Sequence, residues 1–447
     1  MLKSKKASYI ILGALILSCA GIIFFVFDSL DSISFVASPN VFSANLSGVR
    51  EKKVFEVEDG ILVIKELDKE TIKNRIEEGK KFLYRMENQE LHGFYKYYDA
   101  LADSLEPQLH TVYSASIIYT FLYVYDYDKD EEILTRLDDW AGFLLSMQET
   151  DKDNSRYGAF SYSYDMNSKE REKRYVVGTS ALSIFTLLRL HEITGEQKYL
   201  DSAKIAGDWI VSMQRQDGVI KPYVRHNGEE WVYGNQFSLL YNGQCLSALS
   251  KLYHATGEEK YYLAAEKTAD LFASEYEKAG RGYVVDEYRT KNPISNTWIV
   301  MSLMDFYKTK KQDYYKDIVF ELSGQIISNQ FNDQDDLFNY GRVDGAYSTS
   351  GNGWISEVMT DAYSLCAEEG RQDCDKYRQA VLNIIRWIIA RTYSEENSGS
   401  LPNPERASGG IFWNKSGKYV RTDSVCHGLN GYTRIMEYLD DGILLSI

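Results

Sequence analysis

Apolar positions along most of the chain recur at the three- and four-residue spacing of amphipathic helices. In one such segment Leu200, Ala203 and Ile210 share one stripe of the helix, and charged residues lie off it. Segments of this kind follow one another from about residue 70 to the C-terminus. The pattern therefore predicts an all-α domain over residues 70–447.

A short motif marks the turn between two of these helices. The Thr-Gly-Glu sequence at residues 194–196 returns at residues 256–258, each time between two helical segments. Glycine adopts the left-handed conformation that ends a helix, and glutamate suits the positive end of the next helix dipole. Both copies, and Gly370 further along, predict tight helical hairpins.

The predicted helices alternate between two kinds. Six carry small residues among the apolar ones and six are amphipathic, which predicts an inner ring of helices inside an outer ring, an (α/α)6 toroid. An open α-solenoid is the alternative architecture. The inner helices are predicted to start near His110, Val177, Leu240, Ser295, Ser356 and Ser424, and the outer ones near Thr71, Glu131, Gln197, Glu259, Gln312 and Asp373.

The N-terminus has a different pattern. Three lysines precede an uncharged run from Tyr9 to Phe27, which Asp28 ends. A run of this length is about enough to span a bilayer as a helix, and basic residues before it favour a cytoplasmic N-terminus. We therefore expect a membrane anchor over residues 1–28, a tether over residues 29–69 with a short strand or two between Val54 and Ile64, and an extracytoplasmic toroid.

The apolar run at the N-terminus has an alternative interpretation. It is either a retained anchor or a removed segment, namely a cleaved signal peptide or the leader of a lipoprotein cut before Cys19.

The other cysteines leave the kind of site and the disulfide to be considered. No CxxC pair is present, which argues against a zinc site. Outside the membrane, Cys366 and Cys374 either form a disulfide across a helix turn or remain free thiols.

Charge narrows the range of partners. Fifty basic and sixty-five acidic residues give a formal charge of −15, which argues against a non-specific nucleic-acid binder. Tyrosine is abundant at 35 residues, and this side chain suits wet, concave surfaces. We expect the partners to be a glycan and, through the N-terminal helix, a membrane. We expect no cofactor and no metal.

Long connections from outer to inner helices indicate where a ligand binds. They cover residues 151–176, 215–239, 277–294, 330–355 and 393–423 and are rich in Tyr, Trp and Arg. In a toroid they lie on one face, at the N-termini of the inner helices. Aromatic rings stack on sugars and guanidinium groups bind carboxylates, so we predict a cleft for an acidic oligo- or polysaccharide. The candidate contacts in these loops are Arg289, Arg342, Trp354, Trp413 and Arg421.

Two inner-helix starts carry candidate catalytic groups. Asp423 and His427 lie one turn apart, so Asp423 either orients His427 as a base, acts as an acid itself, or caps the helix. Glu357 and Asp361 lie four residues apart, as two carboxylates facing one glycoside hydrolase cleft would. The alternative there is a helix capped by Ser356 with Glu357 in its first turn.

Residues 239–307 also carry a family resemblance. The run from Tyr241 through Asn242 to Gln244, and the later pair Glu287-Tyr288, resemble the C-terminal domain of D-glucuronyl C5-epimerases, which convert glucuronate to iduronate in heparan-type chains. The resemblance implies a helical toroid, a catalytic role for Glu287 and Tyr288, and substrate contacts near residues 241–244.

The same resemblance includes two departures. Phe412 and Asp423 stand where that family has two further catalytic tyrosines. The expected reaction is proton abstraction at C5 of a uronate in a glycan. The alternatives are a glycoside hydrolase that uses Glu357 with Asp361 or Asp423, a polysaccharide lyase, and a glycan-binding protein whose catalytic set has decayed.

Overall fold

The computed structural model of the protein describes residues 55–286, 292–414 and 419–447. The predicted anchor, most of the tether, and the site candidates Glu287, Tyr288 and Arg289 lie outside the described residues. Among the residues that are described, no helix is both long enough and apolar enough to cross a membrane.

Twelve main helices, α1 to α12 in chain order, account for most of the described residues. The odd-numbered helices are α1 (Lys69–Arg85), α3 (Glu131–Ser146), α5 (Gln197–Ser212), α7 (Glu259–Lys278), α9 (Asp313–Ser328) and α11 (Asp375–Ile389). The even-numbered helices are α2 (Thr111–Asp128), α4 (Val177–Thr194), α6 (Leu239–Thr256), α8 (Pro293–Thr309), α10 (Thr349–Glu368) and α12 (Thr422–Ile435). Single turns cover Pro404–Ala407 and Met436–Tyr438.

The even-numbered helices form a closed inner ring. Each packs against the next one, and α12 packs against α2. The odd-numbered helices pack outside them, with α1 against α12. This closure confirms the (α/α)6 toroid and excludes the open solenoid.

The inner-to-outer turns are short, as predicted. Gly195 and Gly257 end α4 and α6 in the left-handed conformation, with φ of 72° and 68°. Cys366 and Cys374 form a disulfide across the turn from α10 to α11. The structure thus answers the question that the sequence left open for these two thiols.

The start of α10 corrects one predicted boundary. The helix begins at Thr349, after the N-cap Ser348, and not near Ser356. The sequence predicted a long connection over residues 330–355, but the last seven of them are helical. Gly353 allows close helix packing there, because a Cβ added to it would lie 2.9 Å from the Cβ of His427. Glu357 is therefore in the third turn of α10, which rules out the reading that places it in a capped first turn.

The described residues also form thirteen short strands, most of which the all-α prediction does not include. They are β1 (Glu56–Glu58), β2 (Ile61–Val63), β3 (Glu66–Asp68), β4 (Tyr97–Asp99), β5 (Ser104–Leu105), β6 (Gln108–His110), β7 (Ser163–Asp165), β8 (Glu170–Arg171), β9 (Arg174–Val176), β10 (Tyr223–His226), β11 (Trp231–Tyr233), β12 (Tyr419–Arg421) and β13 (Ile443–Ser446). Only β1 and β2 fall where the sequence predicted strands. All pairings are antiparallel: β1 with β2, β3 with β13, β5-β4-β12, β6-β7-β8 and β9-β10-β11.

These small sheets join neighbouring loops on one face of the ring. β6 leads into α2 and pairs with β7 from the next long loop, while β9 leads into α4 and pairs with β10 from the loop after that. β12 leads into α12 and pairs with β4 from the first loop. The long outer-to-inner connections therefore share one face, as predicted.

A repeated polar clamp fastens five of these loops to the inner helices. The fourth residue of the helix accepts a hydrogen bond from the backbone N–H of a loop residue. The pairs are Ser114 with Phe94, Ser180 with Phe160, Asn242 with Ile220, Asn296 with Val284 and Asn352 with Val343. Asn242 is completely buried in this role, so its side chain is used to build the fold and is not presented to a ligand.

Candidate functional site

The axis of the ring is lined by side chains at matching depths of the six inner helices. Counted from each helix start, the sixth residues are Ser116, Leu182, Gln244, Trp298, Trp354 and His427, the ninth are Tyr119, Phe185, Ser247, Met301, Glu357 and Asn430, and the thirteenth are Tyr123, Arg189, Lys251, Asp305, Asp361 and Arg434. We call the last set the thirteenth-residue ring. Lys251 of α6 lies within electrostatic reach of Tyr123 and Asp361, on helices that are not its neighbours, so these side chains face one another across the axis.

His427 and Glu357 form the central pair of this channel. The Nδ1 of His427 lies 3.0 Å from Oε2 of Glu357, and their side chains are 24% and 5% exposed. Within the described residues, Nε2 of His427 has no hydrogen-bond partner. A carboxylate accepts a hydrogen bond from Nδ1–H, which keeps the proton on Nδ1 and leaves the lone pair on Nε2, the tautomer of a general base.

Glu357 is held from three directions. Besides His427, Asn430 donates to Oε2 at 3.2 Å and the Nη2 of Arg434 lies 3.3 Å from Oε1. Burial alone would raise the pKa of the Glu357 carboxyl, but the Arg434 charge and the hydrogen bond from His427 outweigh it and lower the pKa. Glu357 is therefore an ionised partner of His427 and is poorly suited to donate a proton.

Arg434 joins this pair to a second carboxylate. Its Nη1 donates to Oδ2 of Asp361 at 2.7 Å, and its Nη2 donates to the hydroxyl of Tyr123 at 2.6 Å. Tyr123 in turn lies 3.0 Å, oxygen to oxygen, from Tyr119. Burial raises the pKa of Asp361 even though the charge of Arg434 opposes it. One guanidinium thus serves two carboxylates and a phenol.

Asp423 does not orient His427, which corrects the first sequence hypothesis for this residue. Its two carboxylate oxygens face Arg421, at 3.0 Å from Nε and 2.5 Å from Nη2. Nor does Asp423 cap the helix, because the N-cap of α12 is Arg421 and makes no side-chain cap bond. The orienting carboxylate is Glu357, from the neighbouring inner helix.

Arg421 and Trp413 lie together at the loop end of the channel. The Arg421 guanidinium donates to the hydroxyl of Tyr113 at 2.9 Å and lies 4.8 Å from the centre of the Trp413 ring. The nearby charge of Asp423 keeps the pKa of Arg421 well above its ordinary value, although burial opposes this. The structure therefore brings two of the predicted substrate contacts together, but Arg421 is already paired with a carboxylate.

Trp354 lies beside the base. Its ring centre is 5.4 Å from that of His427, and it stacks on Trp298 at 3.8 Å with 19° between the planes. Gln244 faces the channel at the same depth, and its Oε1 is buried with no hydrogen-bond partner among the described residues. Tyr241 and Gln244 both pack close to Gly178 at the start of α4.

Arg342 is not brought to this cluster. Its guanidinium lies over the rings of Phe331 and Tyr347, at 4.5 and 5.0 Å, within its own loop. Burial lowers its pKa.

Sequence reasoning missed several side chains that complete the site. Arg434, Tyr123 and Trp298 were absent from the candidates, although each occupies a matching position of its inner helix. Polar or aromatic residues at the sixth, ninth and thirteenth positions of otherwise apolar helices were the available signal. These positions can be counted only from the correct start of each helix, and the predicted start of α10 was seven residues too late.

The arrangement suits proton transfer more than attack by paired carboxylates. His427 is a carboxylate-oriented imidazole with one unbound nitrogen, as a general base requires. By contrast, Glu357 and Asp361 share Arg434, and Asp423 pairs with Arg421. In the described part of the chain, no three His, Cys, Asp or Glu side chains are grouped so that they could hold a metal ion.

Comparison with known proteins agrees with the fold. The family model for glycosyl hydrolase family 76 matches residues 168–297, less than a third of the chain. No curated protein matches the sequence. Solved structures of three proteins that act on sugars are similar to this chain.

Cellobiose 2-epimerase from Bacillus thermoamylovorans B4167 is 15% identical, with a TM-score of 0.67 over 83% of this chain and 99% of its own. An unsaturated glucuronyl hydrolase specific for heparin is 11% identical, with a TM-score of 0.59 over 83% and 98%. An inactive variant of the alpha-1,6-mannanase GH76A from Salegentibacter sp. HEL1_6, in complex with alpha-1,6-mannotriose, is 12% identical, with a TM-score of 0.57 over 83% and 99%. At these identities the likeness establishes the (α/α)6 toroid fold and leaves the reaction to be argued from the site.

Proposed function

We propose that this protein is a carbohydrate-active enzyme in which His427 removes a proton from a carbon of a bound sugar. The observation that carries the proposal is the contact between His427 and Glu357, in a channel that also presents Trp354. Aromatic rings beside a base are typical of sugar sites, because a sugar face packs on the ring.

The proton comes from a carbon next to a carbonyl or carboxylate group. Nε2 of His427 takes the proton, and the C–H electron pair moves toward that group to give an enol or enolate. Returning a proton to the opposite face inverts the carbon, and returning it to the neighbouring carbon isomerises the sugar. The uronate expected from the sequence and the open-chain form of a reducing sugar both meet this requirement. The epimerase among the similar structures supports this reaction class.

Inversion needs a second acid-base group, and we propose Tyr288 with Glu287 for it. Both lie outside the described residues, so this assignment rests on the sequence resemblance. A phenol beside a carboxylate is a suitable proton donor.

Hydrolysis is the second candidate, because the family 76 model matches residues 168–297. The inactive mannanase variant carries two consecutive aspartates replaced by asparagine. Residues 168–297 contain no consecutive pair of aspartates. Each described channel carboxylate is paired with a cation, which disfavours the two-carboxylate mechanism: Glu357 and Asp361 with Arg434, Asp423 with Arg421, and Asp305 with Lys251.

Solvent exchange distinguishes these reactions. The protein is incubated in deuterated water with cellobiose, mannose, alpha-1,6-mannan oligosaccharides and a glucuronate polymer, and the sugars are analysed by NMR. We expect deuterium at the reacting carbon of one substrate. His427→Gln should lower the rate by roughly 10²-fold or more, the usual contribution of a positioned base. The control His254→Gln changes an exposed histidine of α6 and should leave the rate unchanged.

The other outcomes contradict the proposal. New reducing ends without carbon-bound deuterium would identify a hydrolase. An unsaturated product would identify a lyase. Sugar binding with no change in the sugar would identify a glycan-binding protein.

A further inference from the structure

The thirteenth-residue ring contains an arginine that the proposed reaction does not use directly. Arg434 lies on α12, two turns beyond His427, and its side chain is only 13% exposed. Other ring members form separate pairs, such as Lys251 with Asp305 at 2.9 Å. Arg434 differs because one of its partners is Glu357, the carboxylate that holds the base.

A lone carboxylate at the place of Glu357 would be costly to bury. An ionised group that leaves water needs a nearby opposite charge, and without one it takes up a proton. The His427 ring supplies a hydrogen bond, but in its neutral form it supplies no charge. Arg434 supplies that charge at 3.3 Å, and Asn430 completes the contacts at 3.2 Å.

We propose that Arg434 is a positioning residue, which holds the Glu357 carboxylate against Nδ1 of His427 and thereby keeps Nε2 available as the base. The proposal rests on the proposed function, because it assigns His427 the role of base. It adds that Asp361 modulates the pair, since it competes for the same guanidinium at 2.7 Å.

The surrounding charges decide the direction of the expected effects. The titratable and charged side chains around the pair are Asp361 from α10, Asp423 and Arg434 from α12, Arg421 at the start of α12, and Tyr113, Tyr119 and Tyr123 from α2. Asp305 and Lys308 from α8 and Lys251 from α6 act on Asp361 in turn. Removing the Arg434 charge leaves Glu357 uncompensated, which favours the protonated imidazole. When the Asp361 charge is removed, Glu357 is the remaining carboxylate partner of Arg434. The charge of Arg434 then neutralises Glu357 more fully, which favours the neutral imidazole.

The test follows His427 directly, so that it does not depend on turnover. The full-length protein is labelled with carbon-13 histidine, and the signal of His427 is assigned as the one of six that His427→Gln removes. Its titration midpoint is compared in Arg434→Met, Arg434→Lys, Asp361→Asn and the control Lys251→Met. Where the solvent-exchange reaction is observed, its rate is measured across the same pH range.

Arg434→Met should raise the midpoint by about one pH unit, because the variant lacks a positive charge that opposes protonation of the imidazole. The acidic limb of the rate profile should move to higher pH by the same amount. Arg434→Lys should restore at least half of the shift, because the charge remains. Asp361→Asn should lower the midpoint, and Lys251→Met should move it by less than half as much as Arg434→Met.

Two results would overturn the proposal. One is a folded Arg434→Met protein whose His427 midpoint does not change. The other, which applies even when Arg434→Met does not fold, is an upward shift in Asp361→Asn. If the midpoints move as expected but no sugar exchanges its proton, the positioning role stands and the proposed function fails.

Discussion

The side chains around His427 divide the acidic residues of the channel into two roles. Glu357 touches the imidazole, whereas both oxygens of Asp423 are occupied by Arg421. A carboxylate that is already neutralised by a guanidinium has little influence on a base one turn away. Asp423 is therefore better placed to fix Arg421 at the mouth of the channel than to act in proton transfer.

This division predicts a mild effect for Asp423→Asn. The substitution removes a charge but keeps the shape, and Arg421 is left free to attract an anionic sugar. We expect the rate constant for turnover to fall by less than tenfold and the acidic limb of the pH–rate profile to stay in place, with any change mainly in KM. Parallel profiles of Asp423→Asn and His427→Gln provide the measurement. If Asp423→Asn lowered the rate constant for turnover as much as His427→Gln does, Asp423 would have to take part in the reaction.

At the residue scale, the sequence identified a site residue correctly where that residue type is rare in the chain. His427 is one of only six histidines, and its place near the start of a helix marked it as a candidate base. Its true partner, Glu357, was also among the candidates, but it lies 70 positions away in the chain. Pairing the two required the packing of α10 on α12, which the local pattern does not encode.

Among the elements, the helices were predictable and the strands were not. Helices of 14 to 20 residues repeat an apolar stripe several times, so their existence follows from periodicity alone. The loop strands are two to four residues long and cannot establish an alternating pattern. Their pairing depends on which loops the ring brings together. β4 and β12 illustrate this, since they come from opposite ends of the domain.

The polar clamp at the fourth helix position is the element that connects fold and site. Asn352 accepts from the N–H of Val343 at 2.9 Å and donates to the carbonyls of Ala346 and Ser348 at 2.7 and 3.1 Å. It is completely buried. It therefore fixes the loop that leads into α10, and with it the position of Glu357 five residues further along the helix.

We predict that Asn352→Ala lowers the free energy of unfolding by about 2–4 kcal/mol, because each backbone group left buried without a partner costs roughly 1–3 kcal/mol. Chemical denaturation followed by circular dichroism measures this loss. The matched control is Asn227→Ala in the exposed turn between β10 and β11, where Asn227 accepts from Glu229 and Glu230. There the loss should stay below about 1 kcal/mol. Equal losses of unfolding free energy in the two variants would show that the clamp stabilises the fold no more than an exposed turn does.

At the scale of the whole molecule, closure explains why the ends of the toroid domain meet. β3, just before α1, pairs with β13 near the C-terminus, and the ammonium group of Lys69 donates to the carbonyl of Leu439 at 2.9 Å. α1 then packs on α12 and completes the outer ring. Six hairpins are thus joined without a free edge, and each inner helix contributes its channel residues at equal depth.

The placement of the molecule in the cell stays a prediction from the first 28 residues. Nineteen uncharged residues after three lysines are about enough for a membrane-spanning helix with a cytoplasmic N-terminus. The disulfide between Cys366 and Cys374 is consistent with a toroid outside the cytoplasm, because such bonds persist in oxidising compartments.

We therefore expect the full-length protein to stay in the membrane fraction after a carbonate wash. A shortened chain that starts at Ser47 should be released, since it lacks the apolar run but keeps the whole toroid. Mass spectrometry of the mature protein supplies the decisive comparison, because an N-terminus located beyond Phe27 would identify the run as a removed signal sequence and exclude the anchor.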